Sequence, residues 1–286
     1  MARPIDEAFP DNNLVTTAAR GAAGRLAHET LARGSRLIVV AGGNGVANEV
    51  ADALLSTGLT AAELPELALI PVGVGVDLAR GLGIPRDANS VMARLADPGA
   101  TRLIDAGRVT YVGDGGGSAD RYFLNCVSAG ISAGIAASVN SARRVSFVPG
   151  QALFFMKSVQ AVLSHRFSRM TVSVDGAVVT DEETALVAVA NGRFLGGGMA
   201  IAPDAEMDDG LFDVVVIRGA SKLYMLDNMN KIYSGAHRNM PEVTITKGRE
   251  VRIAPTETTG FEIDGETPGH APLQIDMLRG ALRVRA

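Results

Sequence analysis

Two carboxylates stand two residues apart in Phe261-Glu262-Ile263-Asp264-Gly265-Glu266. On an alternating strand, Asp264 and Glu266 point to one face and can share a proton or hold a water, as general acid–base work requires. Asp-Gly is also a common hairpin turn, in which both would be solvated turn carboxylates. A second acidic group, Glu206, Asp208, Asp209 and Asp213, offers only oxygen ligands and suits Mg²⁺; its alternative is an acidic turn between strands. Gly196 to Gly198 would let the backbone approach that region closely. Two glycine loops complete the set: Gly42-Gly43-Asn44-Gly45-Val46, and Gly73-Val74-Gly75-Val76-Asp77. A strand that runs through glycines into a helix gathers backbone N–H groups at a helix N-terminus, the usual way a fold holds phosphate. Either loop alone could serve packing only, but two on adjacent parallel strands converge at one sheet edge and describe a site.

The elements that must position these residues follow from the hydrophobic pattern. Residues 18 to 33 have apolar positions three to four apart, which predicts an amphipathic helix ending at Gly34. Leu37-Ile38-Val39-Val40-Ala41 and Leu67-Ala68-Leu69-Ile70-Pro71 are short continuous apolar runs, as in strands buried on both faces of a parallel sheet. Each is followed by its glycine loop and a helix, the first reaching Ser56 and the second spanning Asp77 to Leu82. From about Arg108 the texture changes: RVTYV and RYFLNCVSA flank a GDGGGS tip as a hairpin. TVSVDG, TALVAVANG, LFDVVVIRG, EVRIAP, GFEIDG and LQIDM then supply short strands bounded by turn residues. Helices over Gly150 to Leu163 and Ser221 to Tyr233 interrupt them. The fold class is α/β plus β-rich, with an α/β unit over 1–105, a β-rich unit over 106–286, a cleft between them, and a C-terminal tail that can return to the first unit.

Composition excludes several classes. Of 286 residues, 47% are hydrophobic and 20% charged, enough to bury a core and too apolar for a disordered chain. With 27 Lys+Arg against 31 Asp+Glu, the net charge of −4 leaves no footprint for nucleic acid. The single cysteine, Cys126, cannot form an internal disulfide, which suggests a reducing, cytoplasmic setting. The polar, acidic start of the chain reads as neither signal peptide nor anchor, and no apolar run approaches a membrane span. His237 lacks a second histidine at metal-ligand spacing, and Cys126 lacks a Cys–His context. Phe154, Phe155 and Met156, and the Met225/Met229 stripe, could line a lipid pocket, although core packing is the commoner use of such residues.

The motifs together resemble the diacylglycerol kinase family, the catalytic fold of bacterial lipid kinases and sphingosine kinases and, more distantly, NAD kinases. Its first loop, GGDGT followed by Asn-Glu-Val, is similar to Gly42–Val46 followed by Asn48-Glu49-Val50, and its P-x-G-T-G-N-D-x-A-R is similar to Pro71–Arg80. NGRFLGGGMAIAPDAEMDDGLFDVVVI from Asn191 and FEIDGE from Phe261 resemble its second-domain signatures, and the likeness covers residues 14 to 286. The resemblance implies that the family's general base, which deprotonates the acceptor hydroxyl, falls on Asp264 and Glu266. It also implies a nucleotide site on Gly42, Gly43, Asn44, Gly45, Val46, Gly73, Val74, Gly75 and Asp77, and a structural Mg²⁺ loop on Glu206, Asp208, Asp209 and Asp213.

The departures from the family pattern run in one direction. Asn44 stands for the acidic residue of GGDGT and Val46 for its threonine, Val74 and Val76 replace Thr and Asn, and Ser132 stands where an Asp is usual. The chain also begins beyond the family's first strand and its Asn-Pro-x-x-Gly loop. Phosphoryl transfer depends on positioning and charge neutralisation. These losses therefore lead to the expectation of a family member that has given up ATP and uses Asp264 and Glu266 for isomerisation, elimination or cyclisation of an apolar or amphipathic small molecule. The alternatives are an ATP- and Mg²⁺-dependent lipid kinase, under which alone peripheral membrane contact is possible, and a non-catalytic lipid- or partner-binding pseudokinase. A homodimer is compatible with each.

Overall fold

The computed structural model describes residues 13–17, 19, 21–73, 75–113, 115–142, 150–164 and 166–286. The acidic start of the chain, Val74 and the side chain of Phe154 lie outside them. The first helix, α1 (Ala22–Ala32), ends before Gly34, whose φ of 75° is the left-handed conformation that stops a helix. Strand β1 (Leu37–Gly42) leads into α2 (Asn44–Leu55), and β2 (Glu66–Pro71) leads into α3 (Asp77–Gly81). The two strands pair in parallel with Leu37 opposite Glu66, so both glycine loops leave the same sheet edge. Helix α4 (Ala88–Ala96) follows, capped by the Asp87 side chain on Ser90 N.

Strands β3 (Thr101–Gly113) and β4 (Ser118–Phe123) form a hairpin, but RYFLNCVSA, expected as its single second strand, breaks after Phe123, and β3 runs unbroken through residue 105. After β5 (Cys126–Gly130) come α5 (Ile131–Ala142), α6 (Gly150–Ser164), β6 (Ser168–Val174), β7 (Ala177–Ala190) and β8 (Phe212–Arg218). The helix expected over 221–233 is two pieces, α7 (Lys222–Asn228) and α8 (Asn230–Ser234). Strands β9 (Val243–Gly248), β10 (Glu250–Pro255), β11 (Phe261–Ile263) and β12 (Gly269–Arg285) complete the chain. Helices α4 and α5 and strand β9 were not expected. The sequence of α5, ISAGIAASVNSA, sets four helix-favouring alanines against three serines, an asparagine and an internal glycine, a mixed helix signal that packing against the sheet decides.

All twelve of these strands join in one sheet, and β12 is its spine. The expected LQIDM strand is the middle of this 17-residue element. Its first half pairs with β10, its length pairs with β3, and its last residues, Val284 and Arg285, lie parallel to Leu67 and Ala68 of β2. A buried layer of Leu54, Leu67, Leu78 and Val284 closes the α/β part, and Phe123, Phe212, Phe261 and Ile253 close the β-rich part. A third layer, including Ile131, Ile135, Ile201 and Met229, sits between β7, β8 and the helices above them. The structure thus has the two-part α/β plus β-rich architecture, and no helix among the described residues is long and apolar enough to cross a membrane.

Candidate functional site

One cavity of about 740 Å³ runs from the glycine loops to the helices over the β-rich part. At its polar end, Asn44 N donates to Gly75 O (2.7 Å) and Leu78 N donates to Asn44 Oδ1 (3.1 Å), so the two loops are tied to each other. They meet at Gly43, where a Cβ would stand 2.7 Å from Gly75 O. No side chain caps α2, and Gly43, Asn44, Gly45 and Val46 all line the cavity. An uncapped helix N-terminus beside open glycine backbone is a fit for phosphate oxygens. Asn44 lacks the charge of an Asp but keeps the oxygen that Leu78 N needs, so this departure leaves the loop geometry in place. Val46 packs toward the α/β core and also lines the cavity, whereas Val76 is buried.

The carboxylates are arranged differently from the expectation. Strand β11 ends at Ile263, and Ile263 N to Glu266 O (2.8 Å) and Glu266 N to Ile263 O (2.9 Å) close a two-residue turn. Asp264 and Gly265 occupy it with φ of 45° and 96°, the conformation for which Asp-Gly is suited. Asp264 and Glu266 are therefore not neighbours on one strand face, and the turn reading is right about the backbone. It is wrong about solvation. Asp264 is buried and accepts from the amides of Leu124 (3.1 Å), Asn125 (3.3 Å) and Cys126 (2.9 Å). With its nitrogen toward these acceptors, the Asn48 amide donates to Asp264 Oδ2 (3.0 Å) and Tyr122 O (3.1 Å). Glu266 instead meets Arg121 (3.5 Å), which also pairs with Asp52 of α2 (2.7 Å) and so couples the two halves of the molecule.

The partner of Asp264 is Glu262, which sequence reasoning missed. Its place two residues before Asp264 on a strand was the available signal. Glu262 is buried, accepts from Ser128 Oγ (2.8 Å) and Gly265 N (2.5 Å), and lines the cavity with Asp264, Glu266 and Asp77. Burial pushes the Glu262 carboxyl up to about 7 and the Asp264 carboxyl up to about 6, the latter against its backbone donors; each acid also feels other buried charge nearby. Asp77 is buried and accepts from Gly197 N (2.8 Å), so the second glycine loop and the Gly196–Gly198 run meet on one carboxylate. Mg²⁺ keeps most of its water and needs only one or two protein carboxylates, so the anionic groups on this wall suit it beside a triphosphate.

Beyond the carboxylates the wall turns apolar, with Ile135, Val139, Val162, Leu186, Met225 and Met229 among its residues. The Met225/Met229 stripe both packs in the third core layer and faces the cavity. Phe155 and Met156 do not; they are on the outside of α6. Ser132 lines the cavity at the start of α5, and its Oγ has no hydrogen-bond partner. His237 is buried in the wall with Nε2 3.0 Å from Ile201 O, and burial lowers its pKa. Cys126 is buried in the sheet, where burial pushes its thiol well above the ordinary value.

The acidic loop is not gathered round a common point. Glu206 and Asp208 are exposed, whereas Asp209 (2.8 Å) and buried Asp213 (3.5 Å) share the Lys247 ammonium. Among the described residues no three His, Cys, Asp or Glu side chains assemble as a metal site. The loop is positioned instead by Asp105, which the motif reading did not single out: its buried carboxylate accepts from Gly210 N (2.6 Å) and Gly280 N (2.7 Å).

Comparison with known proteins places this geometry. Residues 2–109 match the model of the diacylglycerol kinase catalytic domain, and residues 125–286 match that of the YegS C-terminal NAD kinase beta sandwich-like domain. A diacylglycerol kinase of Bacillus subtilis (strain 168) is 29% identical over 272 residues, covering 95% of this chain and 84% of that protein. A diacylglycerol kinase of Mycobacterium tuberculosis (strain ATCC 25618 / H37Rv) is 28% identical over 257 residues, covering 89% and 78%. The crystal structure of a diacylglycerol kinase from Bacillus anthracis str. Sterne superposes with a TM-score of 0.71 at 23% identity, covering 98% of this chain and 87% of that one, and shares the fold. These relatives overturn the expectation of an ATP-independent lyase, isomerase or cyclase working by acid–base chemistry: they are phosphotransferases by name and align along nearly the whole chain. Loop substitutions that keep the loop geometry were poor evidence for a change of reaction. The chain belongs to the diacylglycerol kinase/YegS-like lipid-kinase family.

Proposed function

We propose that this protein is an ATP- and Mg²⁺-dependent lipid kinase that phosphorylates the free hydroxyl of a diacylglycerol or a similar lipid alcohol. The observation that carries the reading is one continuous cavity that joins a phosphate-type helix N-terminus, buried carboxylates and an apolar end. Relatives named diacylglycerol kinase support the same substrate class. Bound Mg²⁺·ATP would supply the phosphoryl group and neutralise its charge. Gly43, Gly45 and the start of α2 would hold its phosphates through backbone N–H groups. Asp77 lines the cavity beside the glycine loops and would hold the cation, and the apolar walls would seat the acyl chains and exclude water. The Glu262–Asp264 pair takes the proton of the attacking hydroxyl, a role that needs a carboxylate within the operating pH range.

The test is phosphate transfer from labelled ATP to dioctanoylglycerol with Mg²⁺. Wild-type protein yields the phosphorylated lipid, and Asp264→Asn lowers kcat by about 10²–10⁴-fold while keeping a cooperative melt. The rate rises with pH through about 6 to 7 as the pair loses its protons. No phosphorylated product from any lipid alcohol, or an Asp264→Asn protein as active as wild type, would defeat the reading.

A further inference from the structure

Helix α2 meets the site at two depths. Its first turn, from Asn44 to Val46, lines the cavity and has no side-chain cap. Further along, about 6 and 12 Å down the axis, Asn48 and Asp52 stand four residues apart on one face. Both hold the same short segment, Arg121 to Cys126. Asn48 donates to Tyr122 O (3.1 Å) and Asp264 Oδ2 (3.0 Å), Asp52 Oδ1 accepts from Tyr122 N (2.7 Å), and Asp52 Oδ2 pairs with Arg121 Nε (2.7 Å). That segment also presents the amides of Leu124, Asn125 and Cys126 to Asp264. The buried carboxylate is therefore placed by the same helix whose N-terminus opens on the cavity.

Arg121 closes the arrangement from the other side. Its guanidinium reaches Glu266 Oε2 (3.5 Å) as well as Asp52, and Glu266 closes the turn that carries Asp264 through paired main-chain bonds with Ile263. The Arg121 and Asp52 side chains are 23% exposed and that of Glu266 19%, so the three charges act on one another with little screening by solvent. One cation holds two carboxylates. Without it, Asp52 and Glu266 face each other as like charges, a repulsion relieved by swinging the turn away from α2. We infer that Arg121 is a positioning residue: by joining Asp52 of the phosphate-facing helix to Glu266 of the Asp264 turn, it holds the proton acceptor at a fixed place relative to the phosphates. The consequence for rate rests on the lipid-kinase reading; the clamp itself does not.

The test compares Arg121→Met, Arg121→Lys and the double variant Arg121→Met/Asp52→Asn in the dioctanoylglycerol assay, each well below its melting temperature. Arg121→Met lowers kcat about 10–100-fold and leaves KM for ATP and for the lipid within about twofold of wild type, because a misplaced reacting group costs rate rather than binding. Arg121→Lys regains most of that loss by restoring the charge, and adding Asp52→Asn to the Met variant regains part of it by removing the repulsion. Wild-type kcat in Arg121→Met, a loss carried by either KM, or a Lys variant no better than Met overturns the positioning role. A second readout needs no turnover. Hydrogen exchange at the Leu124 and Asn125 amides, which donate to Asp264, speeds up about tenfold in Arg121→Met while β6 and β7 exchange as in wild type. Exchange at those two amides equal to wild type overturns the clamp. Faster exchange in a protein whose wild type phosphorylates no lipid supports the clamp and defeats the proposed reaction alone.

Discussion

At its polar end the cavity is held by hydrogen bonds between main chain and side chain; at its apolar end it is made of aliphatic side chains on short helices. In the polar region each loop is fixed by named pairs: Asn44 with Gly75 and Leu78, Asp77 with Gly197, Asp264 with three successive amides. In the apolar region, Ile135, Val162 and Met229 are interchangeable with other hydrophobes so long as volume is kept. The contrast teaches where each end tolerates change. A directional contact is lost by moving an atom a fraction of an ångström, and a packed wall yields gradually.

Substitution at each end separates these behaviours. Gly43→Val should have the largest effect, because its Cβ would meet Gly75 O at 2.7 Å and the loops must part. Phosphoryl transfer is expected to fall about 100-fold, with loss of the thermal shift produced by ATP. If Gly43→Val leaves both unchanged, the loop contact does not set the phosphate position. Ile135→Trp puts an indole into the apolar end and should raise KM for dioctanoylglycerol about tenfold while KM for ATP stays put. Equal change in both constants would mean that the two ends are not separable.

Glu262 stands at the junction and has the smallest expected effect on stability. Its folded pKa is raised from 4.5 to about 7 by burial, so the folded state holds the proton more tightly than the unfolded chain. That stabilisation is complete below about 4.5 and lost as pH rises through about 7. Glu262→Gln removes the buried charge, so its melting temperature should exceed that of wild type by about 3–5 °C at pH 8 and match it near pH 4.5. A gain of the same size at both pH values would show that ionisation is not its cause.

Legibility in the sequence followed the same division. The glycine loops, β1, β2, α2 and the hairpin of β3 and β4 are written in local patterns and were found. The pairing of Glu262 with Asp264 was not, because the eye follows the motif DGE, whereas burial singles out the acid before it. Helix α5 was missed because its three Ser, one Asn and one Gly offset the propensity of its alanines, and of the acidic loop only Asp209 and Asp213 come together, on Lys247, because four oxygen ligands in sequence need not be four in space. The departures at Asn44 and Val46 were counted as losses, since a sequence shows which group is absent and not which contact still has a partner.

By itself the sequence determined the α/β plus β-rich class and the family, since periodicity, glycine spacing and motif order are local or ordered properties of the chain. Only the tertiary structure decided that β12 ties both halves into one sheet, that Asp264 is a buried turn residue held by three amides, and that Lys247 sits with Asp209 and Asp213. Each of these depends on which distant groups share a low-dielectric space, and desolvation and hydrogen-bond partnership are set by that space rather than by neighbours along the chain.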